Sequence, residues 1–249
     1  MFKDFHSAVQ TSILRGILRP IIVIPTYNEC ENISALLHEI FALEIPELRV
    51  IVVDDNSPDG TGNIVTKLSR EYPIHLIARP GKQGLGSAYK EGFAKAKELE
   101  ASCIFEMDAD FSHDPKDIPR MTQALKNSDL VIGSRRVKRS SIVGWNIKRH
   151  AFSFIATKVS RIWLGLQPRD VTSGFRVYRT SGLQKIDITK IQSSGYAFQE
   201  EMLFYAQKSG LKIREIPVTF TDRTRGKTKL GRSEIVDFGK LLLRLNRFM

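Results

Sequence analysis

Two short acidic clusters stand where apolar runs end. Asp54-Asp55 follows Val50–Val53, and Asp108-Ala109-Asp110 follows Cys103–Met107. In an extended segment, residues i and i+2 point to the same side, so Asp108 and Asp110 can share one cation. Hard carboxylate oxygens suit Mg²⁺ or Mn²⁺, ions that complete their shells with substrate phosphates. Paired acids also cap turns, so the spacing alone is weak. After a buried strand in an otherwise basic chain, it points to a metal–diphosphate site.

Two basic segments complement that pair. Ser134–His150 carries Arg135, Arg136, Lys138, Arg139, Lys148 and Arg149 with no acidic residue. Arg223-x-x-Gly226-Lys227-Thr228-Lys229 forms a second basic, glycine-containing loop. The planar guanidinium fork matches phosphate oxygens, which makes Arg135 and Arg149 candidate phosphate ligands. Nucleic-acid contact and a plainly solvated face are the rival readings. Two separated basic loops beside an acidic pair, without interleaved aromatics, describe a diphosphate site better than a nucleic-acid patch.

Pro25-Thr26-Tyr27-Asn28-Glu29 ends another apolar run. It reads either as a strand exit with Asn28 as helix N-cap, or as an edge facing a nucleoside through Tyr27 and Glu29. Gly81-Lys82-Gln83-Gly84-Leu85-Gly86 matches neither the dinucleotide nor the Walker spacing, so a turn leading into a helix is expected there.

The elements that position these residues alternate. Strands are expected at Ile21–Ile24, Val50–Val53, Ile74–Ile77, Cys103–Met107 and Leu130–Ile132. Helices are expected near Glu29–Leu43, Thr61–Tyr72, Leu85–Leu99 and Pro115–Leu125. Such alternation builds βαβ units around a mostly parallel sheet, whose strand ends hold ligands. After Gly133 a loop is expected, then a helix over His150–Leu166 with Phe152, Ile155, Val159, Ile162 and Leu166 at helical spacing. A strand pair, Gly174–Tyr178 and Ile213–Phe220, brackets a helix around Ala197–Lys208. Ser233–Met249 is amphipathic, with Ile235, Phe238, Leu242 and Leu245 opposing Lys240, Arg244 and Arg247. The division expected is an extension over 1–20, a catalytic domain over 21–232 and this terminal helix.

The 38 Lys+Arg against 27 Asp+Glu give a net charge of +11, which calls for acidic partners: nucleic acid, anionic membrane or phosphorylated substrates. Cys30 and Cys103 lack metal or redox spacing and read as unpaired cytosolic thiols. No secretory leader is visible before Arg19, and no window reaches the roughly 18–20 apolar residues of a spanning helix.

Taken together, these motifs resemble the dolichol-phosphate mannose synthases, inverting family-2 glycosyltransferases. The resemblance rests on Pro25–Glu29, Val53–Thr61, Gly84–Gly86 and Met107–His113. It continues through Gly133–Arg135, Trp145–Arg149, Thr172–Arg176, Phe198–Met202 and Asp222–Leu230, so it covers nearly the whole chain from Ile21. The early motifs are shared across family-2 enzymes. The D-A-D-x-S-H block, T-S-G-F-R and the R-x-x-G-K-T-K-L loop point to polyprenyl-phosphate acceptors.

The resemblance implies a GT-A-type, Rossmann-like three-layer α/β domain with a mostly parallel central sheet and a C-terminal amphipathic helix. It implies that Pro25, Tyr27, Glu29, Val53 and Asp55 contact the nucleoside, and that Asp108, Ala109 and Asp110 meet the diphosphate. Asp108 and Asp110 would hold Mg²⁺ or Mn²⁺, with Ser112 as a weak third ligand. Arg135 and Arg149 would bind the acceptor phosphate, and Arg223 and Lys229 the donor; Asp108, Asp110 and Arg135 would be catalytic. Glu201 falls where relatives place a catalytic carboxylate and is expected to orient instead, because an ionised phosphate needs no base. Asn56 replaces a common Gly, tolerable because Asn also adopts left-handed backbone.

The implied partners are GDP-mannose, a dolichyl or other polyprenyl phosphate, and the cytoplasmic face of a membrane, touched peripherally. The spanning extension of some relatives is missing, which leaves anchoring to an amphipathic helix or a small membrane-anchoring subunit. UDP-glucose as donor and, from another class, a non-catalytic RNA-binding protein are the alternatives.

Overall fold

A computed structural model of the chain describes residues 18–195, 197–223 and 232–245. Most of the expected 1–20 extension, the Gly226–Leu230 stretch with Lys229, and Arg247 lie outside the described residues.

The chain runs β1 (Pro20–Thr26), α1 (Ile33–Phe41), β2 (Arg49–Asp54), α2 (Thr61–Leu68), β3 (Ile74–Ala78), α3 (Leu85–Glu98) and β4 (Cys103–Glu106). A 3₁₀ turn at Pro115–Asp117 leads into α4 (Ile118–Ala124), and β5 (Leu130–Ser134) and β6 (Ser141–Val143) follow. Then come α5 (Ile147–Trp163), β7 (Arg176–Arg179), α6 (Thr180–Leu183), α7 (Ala197–Lys208), β8 (Ile213–Pro217), β9 (Thr219–Thr221) and α8 (Arg232–Leu245).

Seven strands form one sheet in the order β3-β2-β1-β4-β7-β5-β8, in which only β7 runs antiparallel to its neighbours. Both faces are covered, and the strands show it. Ile21 and Val23 of β1 join Ile51, Val53, Tyr89 and Phe93 on one side, whereas Ile22 and Ile24 join Val50, Val52, Leu36 and Leu37 on the other. Period-two alternation between two apolar layers is what a doubly covered parallel sheet requires. The three-layer expectation holds.

Three expectations change. The strands at Gly174–Tyr178 and Ile213–Phe220 do not pair with each other, because β5 lies between them. The second breaks at Val218, and its far half, β9, pairs in parallel with β6 from within the expected loop. Asn28 is a left-handed turn residue at φ 55°, and the residue before α1 is Asn32.

The terminal helix belongs to the domain. Leu241 and Leu245 are buried in the core beside Met202 and Leu203 of α7, with Leu242 packed against the same cluster. The Ile235 side chain lies outside the described set.

Candidate functional site

The winding reverses at β1: β2 and β3 extend to one side and β4 starts the other. Open α/β sheets bind ligands at the carboxyl ends of strands beside such a switch point. There β1 ends in Pro25–Glu29 and β4 leads into Asp108–Asp110, as the alternation predicts.

One pocket opens at this place. Pro25, Glu29, Asp108, Ala109, Asp110, Ser112, Arg135, Arg149 and Arg223 all line it, so most of the expected site residues converge. Tyr27, Val53 and Asp55 do not line it. Tyr27 is half-buried under the Lys82 ammonium, 4.9 Å from its ring centroid. Val53 is fully buried in the core, so only its main chain is left to meet a nucleoside. Asp55 accepts from Arg79 Nε at 2.5 Å and from the Gln83 and Gly84 amides at 3.3 and 3.4 Å. That carboxylate shapes the turn into α3, where Gly84 takes φ 93°, and the glycine segment is a helix entry as expected.

Asp110 Oδ1 accepts the Ser112 amide at 3.0 Å, and its Oδ2 lies 2.6 Å from Arg223 Nη2. Phe111 between them holds φ 61°, a costly conformation for an aromatic residue, at the turn that presents both carboxylates. Asn56, at φ 56°, occupies the left-handed backbone expected of it.

His113 was missed by sequence reasoning as a site residue. It stacks on Phe175 with centroids 4.8 Å apart, and Nδ1 accepts the Asp108 amide at 3.1 Å. With Nδ1 accepting, the neutral ring carries its proton on Nε2, 3.8 Å from Asp108 Oδ2. Burial lowers its pKa despite the nearby Asp108 and Asp110.

The arginines are each paired with a carboxylate. Arg135 reaches Asp170 through Nε and Nη2 at 2.8 and 2.7 Å, and adds Thr172 Oγ1 at 2.7 Å. Arg149 Nη1 lies 2.6 Å from Asp222 Oδ2. The sequence reading found no aromatics among these cations; the structure corrects it. Trp145 lies under both Arg135 and Arg149, at 5.6 and 4.6 Å, and Phe220 lies 5.2 Å from Arg135. Phe220 is distant in sequence and arrives through the β6–β9 pairing, which no local pattern announced.

Glu200 also lines the pocket, whereas Glu201 does not. Burial raises the Glu200 carboxyl to about 7, and Oε2 finds no partner among the described residues. On β4, buried Glu106 is likewise pushed up to about 7 by burial, against the pull of Arg176. Two adjacent glutamates on a helix buried nearly all round gave no periodicity by which to separate these roles.

Of the acidic residues that line the pocket, Asp108 and Asp110 are the pair that the sequence spacing sets side by side. Among the described residues no group of three or more His, Cys, Asp or Glu gathers as a metal site. That donor set fits an oxygen-seeking divalent ion completed by substrate phosphates and water. The Arg223 guanidinium at Asp110 shows that the position attracts positive charge.

Comparisons with known proteins identify the family and the fold. The family model "Glycosyl transferase family 2" matches residues 21–187. The undecaprenyl-phosphate mannosyltransferase of Micrococcus luteus is 42% identical over 215 residues, covering 86% of this chain and 88% of that one. The polyprenol monophosphomannose synthase of Mycolicibacterium smegmatis is 38% identical over 225 residues, covering 89% and 84%. Among solved structures, glucosyl-3-phosphoglycerate synthase from Mycobacterium tuberculosis, in complex with Mn²⁺, UDP and glucosyl-3-phosphoglycerate, superposes with a TM-score of 0.66. It is 17% identical, covers 96% of this chain and 81% of its own, and shares the fold. The chain is a glycosyltransferase of family 2, and within it belongs to the polyprenol-phosphate mannose synthase family.

Proposed function

We propose that the chain transfers a mannosyl residue from GDP-mannose to a dolichyl or other polyprenyl phosphate, with inversion, releasing GDP. The observation that carries this reading is the convergence of Asp108, Asp110, Arg135, Arg149 and Arg223 on one pocket that also has apolar walls. Relatives named for mannosyl transfer to polyprenyl phosphates support the choice of sugar and acceptor.

An oxygen of the acceptor phosphate attacks the anomeric carbon as the bond from that carbon to the diphosphate breaks, and the electron pair leaves with GDP. A phosphate monoester has its second pKa near 6 and is largely ionised at neutral pH, so no side chain must remove a proton. The protein instead orients two anions and neutralises the departing one. Arg135 and Arg149 hold the incoming phosphate, and Arg223, with Lys229 from outside the described residues, meets the diphosphate. Asp108 and Asp110 would hold Mg²⁺ or Mn²⁺, which supplies positive charge for the leaving diphosphate. Pro25, Tyr27, Glu29, Asp55 and the Val53 main chain flank the nucleoside.

A polyprenyl acceptor lives in a bilayer, and no helix among the described residues is long and apolar enough to cross one. Peripheral attachment at the cytoplasmic face, through a surface helix or a small anchoring subunit, fits this. The terminal helix was the first candidate, but its Arg244 pairs with Glu201 and its Leu245 is buried. That helix exposes Leu243 alone among the large apolar side chains described, whereas α5 exposes several, Phe154, Ile155 and Ile162 among them.

The test is a donor screen with a short-chain polyprenyl phosphate and Mn²⁺. GDP-mannose should turn over and UDP-glucose should not; the reverse outcome would reassign the sugar. Turnover with neither would remove the lipid-phosphate reading.

A further inference from the structure

Glu201 neighbours Glu200 on α7 but faces away from the pocket, and its side chain is fully buried. Its Oε2 accepts the amides of Gln192 and Ser193 at 3.1 and 2.8 Å. Its Oε1 lies 2.6 Å from Arg244 Nη2 on α8. Arg244 also donates to Gln192 Oε1 at 2.8 Å and to Ser193 Oγ at 3.3 Å. One carboxylate therefore ties α8 to the segment that leads into α7.

That segment is seated in turn on the start of α3. The Gly86 amide donates to Ser194 O at 2.7 Å. A Cβ at Gly86 would stand 2.5 Å from Ser193 O, and one at Gly84 would stand 3.0 Å from Ser194 O. Neither glycine could carry a side chain without moving the segment. Leu85 lies between them, Ala197 opens α7, and Phe238 sits on α8; all three line the pocket. Elements far apart in sequence thus deliver apolar side chains to the pocket that holds Arg135 and Arg149, and they are joined through Glu201 and Arg244.

We propose that the Glu201–Arg244 pair is a positioning device that docks α8 into the catalytic pocket, where Phe238, with Leu85 and Ala197, receives the hydrocarbon adjoining the acceptor phosphate. The inference rests on the polyprenyl-phosphate reading for the identity of the hydrocarbon, but not for the docking itself. Leu241 and Leu245 keep the helix on the core, so the ion pair, in the helix's last turn, sets its register on α7 and with it the place of Phe238, rather than whether it is attached. Glu201 touches no reacting atom.

The experiment compares Arg244→Met, Glu201→Gln/Arg244→Met and Phe238→Ala with the parent chain. The double variant removes both charges, so a stranded buried carboxylate does not confuse the result. Steady-state kinetics with GDP-mannose and a short-chain polyprenyl phosphate are read beside amide hydrogen exchange. Phe238→Ala should raise KM for the lipid phosphate about tenfold, the size of a lost aromatic anchor, with GDP-mannose affinity and exchange unchanged. Arg244→Met and the double variant should match that KM and also speed exchange in residues 192–195 and 238–245. Phe238→Leu should recover most of the loss.

Unchanged lipid KM in Phe238→Ala, or equal losses in donor and acceptor terms, would overturn the proposed wall. Unchanged exchange in both Arg244 variants would overturn the docking role. If the parent chain turns over no polyprenyl phosphate, the functional reading fails, and exchange still decides the docking.

Discussion

Arg135 lies on Asp170 as a two-pronged fork, with the Arg135 amide adding a third contact to the same carboxylate at 2.7 Å. Asp170 is fully buried. The pair raises the pKa of Arg135 against the effect of its burial, and lowers that of Asp170 against the same effect. The guanidinium that faces the pocket is therefore fixed from behind.

Arg135→Ala should cut transfer at least about tenfold, since a hydrogen bond to a charged group contributes roughly 1.5–3 kcal/mol. It should also lower Tm, because removing one partner of a buried ion pair costs about 3–5 kcal/mol. Arg135→Ala/Asp170→Asn should regain much of the Tm and none of the activity. Lys138→Ala, at an exposed position, should change neither quantity. Equal kinetic losses in Arg135→Ala and Lys138→Ala would mean a diffuse basic patch.

Asp108→Asn and Asp110→Asn should each remove most activity while leaving the fold intact. The Asp108 side chain is 39% exposed, so its replacement should leave Tm alone without metal. Asp110 anchors the Ser112 amide and Arg223, and its replacement should cost some stability. Mn²⁺ should raise the Tm of the parent chain, and in both variants that rise should disappear. Parent-like turnover in either variant at limiting Mn²⁺ would sink the assignment.

Burial pushes the Glu200 carboxyl from 4.5 up to about 7, so the native state favours its protonated form. The stability this contributes is fully present below 4.5 and is lost as pH rises to about 7. Glu200→Gln keeps the shape and abolishes the titration. Its Tm should match the parent's at acidic pH, exceed it increasingly through that window, and run parallel above it. A constant difference across the whole range would show that Glu200 does not titrate in this way.

Local pattern carried far in the first half of the chain. Strands β1 to β5 are short, largely apolar segments alternating with helices, and those inside the sheet were visible because two covered faces demand apolar residues. Asp108 and Asp110 were legible for the same reason, as polar residues directly after such a run. The rest depended on distant partners. β6 and β9 have three residues each, and their pairing joins segments 78 apart, as the bond from Ser141 to Thr219 shows. Asp170 drew no notice, and Asp222 was read only as the first residue of a motif, because an acid gains a role only when the fold brings an arginine to it. Arg244 misled for the converse reason: on a helical wheel it is a surface cation, and only tertiary packing reveals Glu201 beneath it.

Helix α5 is the clearest case of correct periodicity with an unexpected orientation. It turns Thr157 and Ser160 inward, where their hydroxyls find no partner among the described residues, and turns Ile147, Phe154, Ile155, Ile162 and Trp163 outward. Ile147 is 86% and Ile162 73% exposed. In water this arrangement leaves apolar surface uncovered, and a contiguous patch of this kind marks an interaction site. Exposed Lys158 and Arg161 on the same helix suit an anionic membrane surface, where each contributes about 1 kcal/mol. We expect the parent chain to co-sediment with anionic vesicles, less so at high salt, and Trp163 emission to shift to shorter wavelength as it leaves water. Phe154→Ser/Ile162→Ser should weaken sedimentation by at least about tenfold, because burying one such side chain is worth roughly 1.5–3 kcal/mol. Turnover of a detergent-dispersed short-chain acceptor should persist, since neither residue lines the pocket. Equal sedimentation of both forms, with no shift in Trp163 emission, would show that α5 does not enter the bilayer and that a protein partner covers it.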